Sequence, residues 1–188
     1  AYPFETIKNK FLMAKPSIVT DIDNNLPNGL EYIVLRGHFF DMIGVKTSDD
    51  VIFLGDSLFS EETITKYHVF FIYNVAEYLN TLNILKELPA KMYIPSHCAA
   101  TANIKELIKI NEDKINEILD YLYNICKENI TFEDILKSVF DNYALVMNAT
   151  QYVLISSTIK SYLSYLKDQN KLTYEFIDNK MYWKQNEV

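Results

Sequence analysis

Val51-Ile52-Phe53-Leu54 is an unbroken apolar run between the turn formers Ser48-Asp49-Asp50 and the pair Gly55-Asp56. A run this short with β-branched members reads as a strand, and its lack of polar alternation predicts a strand covered on both faces. Such a strand needs a layer on each side, so it constrains the chain to a layered fold. Residues 43–47 precede it across Ser48-Asp49-Asp50, which predicts a hairpin.

Other elements build around this strand. Residues 17–22 and 31–36 are rich in β-branched side chains and are separated by Asp23-Asn24-Asn25 and Pro27-Asn28-Gly29, so they predict a further strand pair. Asn74 can cap a helix on which Val75, Tyr78, Leu79, Leu82 and Leu85 recur at three- and four-residue spacing, ending before Pro89. Residues 92–94 then read as a short strand leading into Pro95-Ser96-His97.

Beyond residue 100 the pattern becomes helical. Thr101 or Asn103 can open a long amphipathic helix carrying Leu107, Ile108, Ile115, Leu119, Leu122 and Ile125 on one stripe, broken at Asn129. Thr131-Phe132-Glu133-Asp134 resembles a capping box and opens a second helix. A third runs over residues 158–167, capped by Ser156 or Ser157 or starting earlier near Thr150. Residues 172–177 and 181–183 flank Asp178-Asn179-Lys180 as a closing hairpin, which gives helices followed by a two-stranded wing. The expected division is 1–103 for the α/β part and 104–188 for a connecting helix and a winged-helix-like module.

Composition excludes several classes. With 49% hydrophobic residues in 188, the chain can bury a core, and its 14 Tyr and 11 Phe lie in periodic segments suited to filling one. Two cysteines, Cys98 and Cys126, are too few for a disulfide scaffold, and no apolar run approaches the roughly 20 residues that span a bilayer. A cytoplasmic setting without membrane contact is the expectation. A net charge of −7 weighs against a phosphate-backbone binder. The wing module adds little, since Lys160 and Lys167 stand among Ser, Tyr and Asp168, while Leu163, Tyr165, Leu166 and Trp183 suit packing on the first part or a homodimer surface.

Three polar residues fall at strand ends: His38 after 31–36, Asp56 after 51–54 and His97 after 92–94. Two imidazoles and a carboxylate suit a divalent metal, and strand ends on one rim of a sheet can converge. The third histidine, His68, has no such context and reads as structural or close to substrate. Cys98 reads as a packed thiol, and Glu61 and Glu62 as caps or cleft-mouth residues.

The blocks Gly37-His38-Phe39-Phe40-Asp41-Met42-Ile43-Gly44, Val51-Ile52-Phe53-Leu54-Gly55-Asp56-Ser57-Leu58-Phe59 and Tyr93-Ile94-Pro95-Ser96-His97 resemble, in order and placement, the third, fourth and fifth motifs of the metallo-β-lactamase-fold hydrolases. The resemblance implies the C-terminal half of that αββα sandwich followed by a winged-helix-like extension. It also implies a metal-dependent hydrolase of a small-molecule ester, thioester, amide or phosphodiester. By it, His38 belongs to the first of two divalent metal ions, zinc foremost, Asp56 bridges both and acts in catalysis, and His97 belongs to the second.

The family's first motif, His-x-His-x-Asp-His, is absent from this sequence, whose three histidines are His38, His68 and His97. The expectation is therefore a C-terminal portion of a longer hydrolase, inactive alone. The alternative is a binding or dimerisation module with a vestigial site. Arg36, Phe39, Phe40 and Asp41 depart from the residues common around that histidine, and Phe39 and Phe40 imply a more apolar wall beside His38.

Overall fold

A computed structural model describes residues 17–186. Strands β1 (Leu30–Val34), β2 (Ile43–Thr47), β3 (Val51–Phe59) and β4 (Met92–His97) form one sheet in the order β1-β2-β3-β4. The first three are antiparallel and β4 is parallel to β3. A parallel pair needs a crossover, supplied by α2 (Glu61–Tyr67) and α3 (Val75–Glu87).

The expected hairpin lies between β2 and β3, with Asp50 at φ 70 in its turn. Asn74 caps α3 as expected, its side chain accepting from the Glu77 N–H, and the helix stops before Pro89. Residues 17–22 form no strand. Asp21 instead accepts from the Asp23 N–H and caps the single turn α1 (Ile22–Asn25), because Asp and Asn side chains compete locally for backbone donors. Helix α2 adds to the expected elements, although Ser60 is an ordinary N-cap accepting from Thr63 N–H.

One sheet face carries the core. Leu35, Ile52 and Leu54 are fully buried, with Tyr78, Leu82 and Leu85 of α3 and Ile108 and Ile115 of the helix that follows β4 in the same cluster. The opposite face differs. The strand pairings place Tyr32, Val45, Phe53 and Ile94 side by side in one row across all four strands. Tyr32, Val34 and Phe53 are 37%, 41% and 45% exposed. The apolar run of β3 is thus covered on one face only among the described residues, which corrects the expectation of burial on both.

Helix α4 (Lys105–Ile125) leads to β5 (Ile130–Thr131), α5 (Phe132–Asn142), α6 (Ala149–Asp168), β6 (Leu172–Ile177) and β7 (Lys180–Gln185). Asn103 accepts from the Lys105 N–H at the start of α4, and Thr131 caps α5. Asn148 caps α6, so the helix takes the earlier of its two expected starts, near Thr150, and Ser156 is buried mid-helix instead of capping it. The closing hairpin turns at Asp178 and Asn179, both with positive φ, and β5 joins it in a sheet of order β5-β7-β6.

Leu163, Leu166 and Trp183 are buried within the chain, where they contribute to its core. Helix α6 also bonds to the crossover: the Ile72 N–H donates to Thr158 Oγ1 at 3.3 Å and the Val75 N–H to Ser161 Oγ at 3.0 Å. Among the described residues no helix is long and apolar enough to cross a membrane.

Candidate functional site

Each of the three strand-end residues is positioned by a local irregularity. His38 lies in the loop between β1 and β2, beside Gly37 at φ 122. The Gly37 carbonyl accepts from both Tyr73 N–H (2.9 Å) and Asn74 N–H (3.0 Å), which ties the loop to the start of α3. An added Cβ at Gly37 would lie 2.3 Å from the Tyr78 backbone, so glycine is required by contact as well as by φ.

Asp56 does not follow β3 but sits inside it. The register with β4 shifts on both sides of Gly55, whose φ is 55, and this bulge re-aims the chain where Asp56 emerges. Ser57 Oγ closes the irregularity by donating to the Leu54 carbonyl at 2.7 Å. His97 is the last residue of β4 rather than a turn residue beyond it, and pairs with Phe59 in register.

The fold brings these three side chains together. His38 Nε2 lies 3.4 Å from Asp56 Oδ2, and His97 Nε2 lies 3.4 Å from Asp56 Oδ1. Each imidazole therefore faces its own oxygen of one carboxylate. Phe59 stands behind both rings, stacked on His97 (centroids 5.2 Å, interplanar angle 12°) and tilted against His38 (5.8 Å). Phe71 adds an edge contact to His38 at 5.5 Å.

Burial lowers the His38 pKa, a shift opposed by the Asp56 charge and the Phe71 backbone carbonyl. The His38 Nδ1 is buried without a hydrogen-bond partner among the described residues. In the tautomer protonated on Nδ1, the Nε2 lone pair is turned towards Asp56. Lone pair against carboxylate is repulsive unless a cation lies between them, so the arrangement fits cation binding in donor type. Among the described residues, however, no group of three or more His, Cys, Asp or Glu is placed to hold a metal ion.

The three residues line a cleft of about 1050 Å³ whose other walls come from α2, from residues 69–71 and from α6. Phe39 and Phe40 do not line it, which corrects the apolar wall expected from them. They pack on each other (4.4 Å) and on Tyr73 at the surface, and the apolar lining comes instead from Phe59, Phe70 and Phe71. Glu62 does reach the cleft, whereas Glu61 faces away. Cys98 lies there as a thiol, its pKa pushed up to about 11 by burial. His68 is structural: it ends α2 at φ 52 and stacks on Tyr143.

Sequence reasoning misses Asn111. It is fully buried on α4, and its side chain holds the backbone of Phe59 from both sides. An asparagine between Ile108 and Ile115 on the apolar stripe of a helix is the available signal.

A mixed sheet backed by helices, with its polar residues gathered at the carboxyl ends of β3 and β4, defines the class as a layered α/β protein with a rim site. No protein-family model matches the chain, and no curated protein matches it. Solved structures do. A metallo-beta-lactamase family protein from Thermus thermophilus matches 84% of this chain and 49% of its own with a TM-score of 0.65 at 13% identity. A beta-lactamase domain protein from Burkholderia ambifaria matches 83% of this chain and 47% of its own with a TM-score of 0.69 at 15% identity. The chain has the metallo-β-lactamase fold over most of its length, and it spans about half the length of these two structures.

Proposed function

We propose that the chain is the C-terminal portion of a metal-dependent hydrolase in which Asp56 bridges two divalent cations, zinc foremost, with His38 on one and His97 on the other. The observation that carries this reading is the division of one carboxylate between two imidazoles, one per oxygen at 3.4 Å. A bridging carboxylate offsets the repulsion between two cations, and neutral imidazole nitrogen is a common partner for zinc. When bound, the cations would polarise the scissile bond of a small-molecule ester, thioester, amide or phosphodiester and make a water nucleophilic near neutral pH.

The chain's own residues do the positioning. Phe59 holds the two imidazole planes, and the bulge at Gly55 presents Asp56 between them. Three donors do not fill two coordination shells, so the remaining donors come from outside this set. The open apolar face of the first sheet supports a further layer as their carrier, and the chain alone is expected to lack turnover. On this reading 1–103 bears the chemistry, and the winged-helix-like 104–188 supplies one wall of the cleft through α6.

A second reading rests on the open donor set: a binding or dimerisation module with a vestigial site. The two separate on the full-length gene product, assayed for zinc content and for hydrolysis of a panel covering the four bond types. The hydrolase reading expects bound zinc and a loss of about 10²-fold or more in His38→Ala and Asp56→Ala. No bound metal, or a His38→Ala variant as active as the parent, would leave the vestigial reading standing.

A further inference from the structure

The two imidazoles rest on different supports. His38 sits in the loop between β1 and β2, which α3 holds at successive residues: Thr81 Oγ1 donates to the Arg36 carbonyl at 2.6 Å, and Gly37 packs directly on the Tyr78 backbone. His97 ends β4, in register with Phe59 and stacked on its ring. Each imidazole keeps its 3.4 Å contact with Asp56 only while these two supports hold a fixed separation.

The sheet ladder does not by itself fix that separation. β2 is in register with β3 at Ile52 and Phe53, ahead of the bulge at Gly55, and the register of β3 with β4 shifts twice before Phe59. A bulge interrupts the ladder locally, so what lies beyond it needs another tie.

Tyr78 spans the two supports. It is fully buried on α3, its backbone lies against Gly37, and its hydroxyl donates to Asn111 Oδ1 at 3.0 Å, the same oxygen that accepts from the Phe59 N–H. Its ring also meets Phe70 (6.1 Å), which packs on Phe59 at 4.3 Å. The backbone of one residue therefore touches the support of His38, while its side chain reaches the support of His97 by two paths. A buried tyrosine hydroxyl needs a partner. That accounts for a hydrogen bond, but not for its landing on the amide that holds Phe59.

We propose that Tyr78 is a positioning residue that sets the separation of the His38 and His97 imidazoles about Asp56. It does not line the cleft and acts through Gly37 on one side and through Asn111, Phe70 and Phe59 on the other. The inference rests on the metallohydrolase reading for its purpose, whereas the positioning itself belongs to the metal-free chain.

The test compares the parent with Tyr78→Phe, which removes one oxygen and keeps the ring in the core, and with Val139→Ala, a truncation of a buried residue on α5 that does not line the cleft. In the metal-free chain, Tyr78→Phe is expected to move the imidazole resonances of both His38 and His97 and to weaken the nuclear Overhauser contact between the His38 and Phe59 rings, while Val139→Ala leaves all three in place. Zinc affinity, read by calorimetric titration, is expected to fall about tenfold in Tyr78→Phe and to stay at the parental value in Val139→Ala. Unmoved imidazole resonances in Tyr78→Phe, the same displacement in Val139→Ala, or parental zinc affinity in a Tyr78→Phe chain whose rings have moved would each overturn the proposal. A parent that binds no zinc would count against the metallohydrolase reading alone, since the metal-free comparison still decides whether Tyr78 positions the rings.

Discussion

Asn111 grips the backbone of Phe59 at both polar atoms: the Phe59 N–H donates to Asn111 Oδ1 at 3.0 Å, and Asn111 Nδ2 donates to the Phe59 carbonyl at 2.8 Å. Two further bonds satisfy the amide, from the Tyr78 hydroxyl (3.0 Å) and to the Leu107 carbonyl (2.8 Å). An asparagine in a core is thereby fully paired, and it connects α4 to the residue on which both candidate imidazoles rest. Asn111→Ala leaves the Phe59 backbone unpaired in a dry site. The expected cost is about 2–4 kcal/mol, read by urea denaturation, with Asn111→Leu no better because the orphaned backbone groups remain. A loss below about 0.5 kcal/mol would show that the clamp is dispensable.

Gly37→Ala tests whether the His38 loop is held by contact. The new methyl meets Tyr78 backbone at 2.3 Å, and backbone on both sides cannot yield as a flexible side chain would. The expected outcome is a stability loss of about 2 kcal/mol or more together with displacement of the loop, seen as large amide shifts at His38 and Tyr73. A variant with parental thermal stability would contradict the close packing of loop and α3.

The open sheet face makes adjacent residues of β3 respond differently. Leu54 is fully buried and Phe53 is 45% exposed. Leu54→Ala is expected to cost about 2–5 kcal/mol, while Phe53→Thr costs less than about 1 kcal/mol in this chain. The apolar row Tyr32, Val45, Phe53 and Ile94 is expected to promote self-association, measured by sedimentation velocity, and Phe53→Thr to reduce it by interrupting the row. Equal losses in the two variants would mean that the outer face is covered within the chain.

The elements with local punctuation were legible in the sequence. Ser48-Asp49-Asp50, Asn74, Pro89, Thr131 and Asp178-Asn179 act through their immediate backbone, and each marks the boundary expected of it. What depends on distant contacts was not legible. Residues 17–22 carry β-branched side chains but have no paired strand among the described residues, and a local Asp cap prevails. Asp56 reads as a residue after a strand because a bulge has no signature beyond Gly55. The nearness of His38 and His97 follows from their placement after strands and that of Asp56 from the bulge at Gly55, whereas Asn111 takes its role from a helix whose packing the sequence does not state.

Glu117 supplies a pH test away from the site. Burial works to raise its pKa, but hydrogen bonds from Lys114 and Tyr143 and the Lys114 charge outweigh this and hold it below the usual glutamate value. A depressed folded pKa means that the stabilisation is present above the unfolded value and is lost as pH falls through the folded one. Glu117 is more than half exposed, so solvent screening limits the effect to about 0.5 kcal/mol. Stability measured by urea over the acid range, from neutral pH down past the folded pKa, should therefore fall slightly less steeply in Glu117→Gln than in the parent. Identical slopes would remove Glu117 from the account.

Zinc should stabilise this chain modestly and only through the intact carboxylate. Asp56 contacts both imidazoles, so removing it separates the donors, while removing either histidine leaves a carboxylate–imidazole pair. Where zinc is present at about ten times its Kd, the gain is about 1.4 kcal/mol, and for a chain of this size it raises Tm by about 3–6 °C. Asp56→Ala is expected to abolish the shift, and His38→Ala or His97→Ala to reduce it by different amounts, since His38 is the more buried of the two. A shift that persists in Asp56→Ala would place zinc elsewhere on the chain, and a shift lost equally in all three variants would favour one cation held jointly over a carboxylate shared between two.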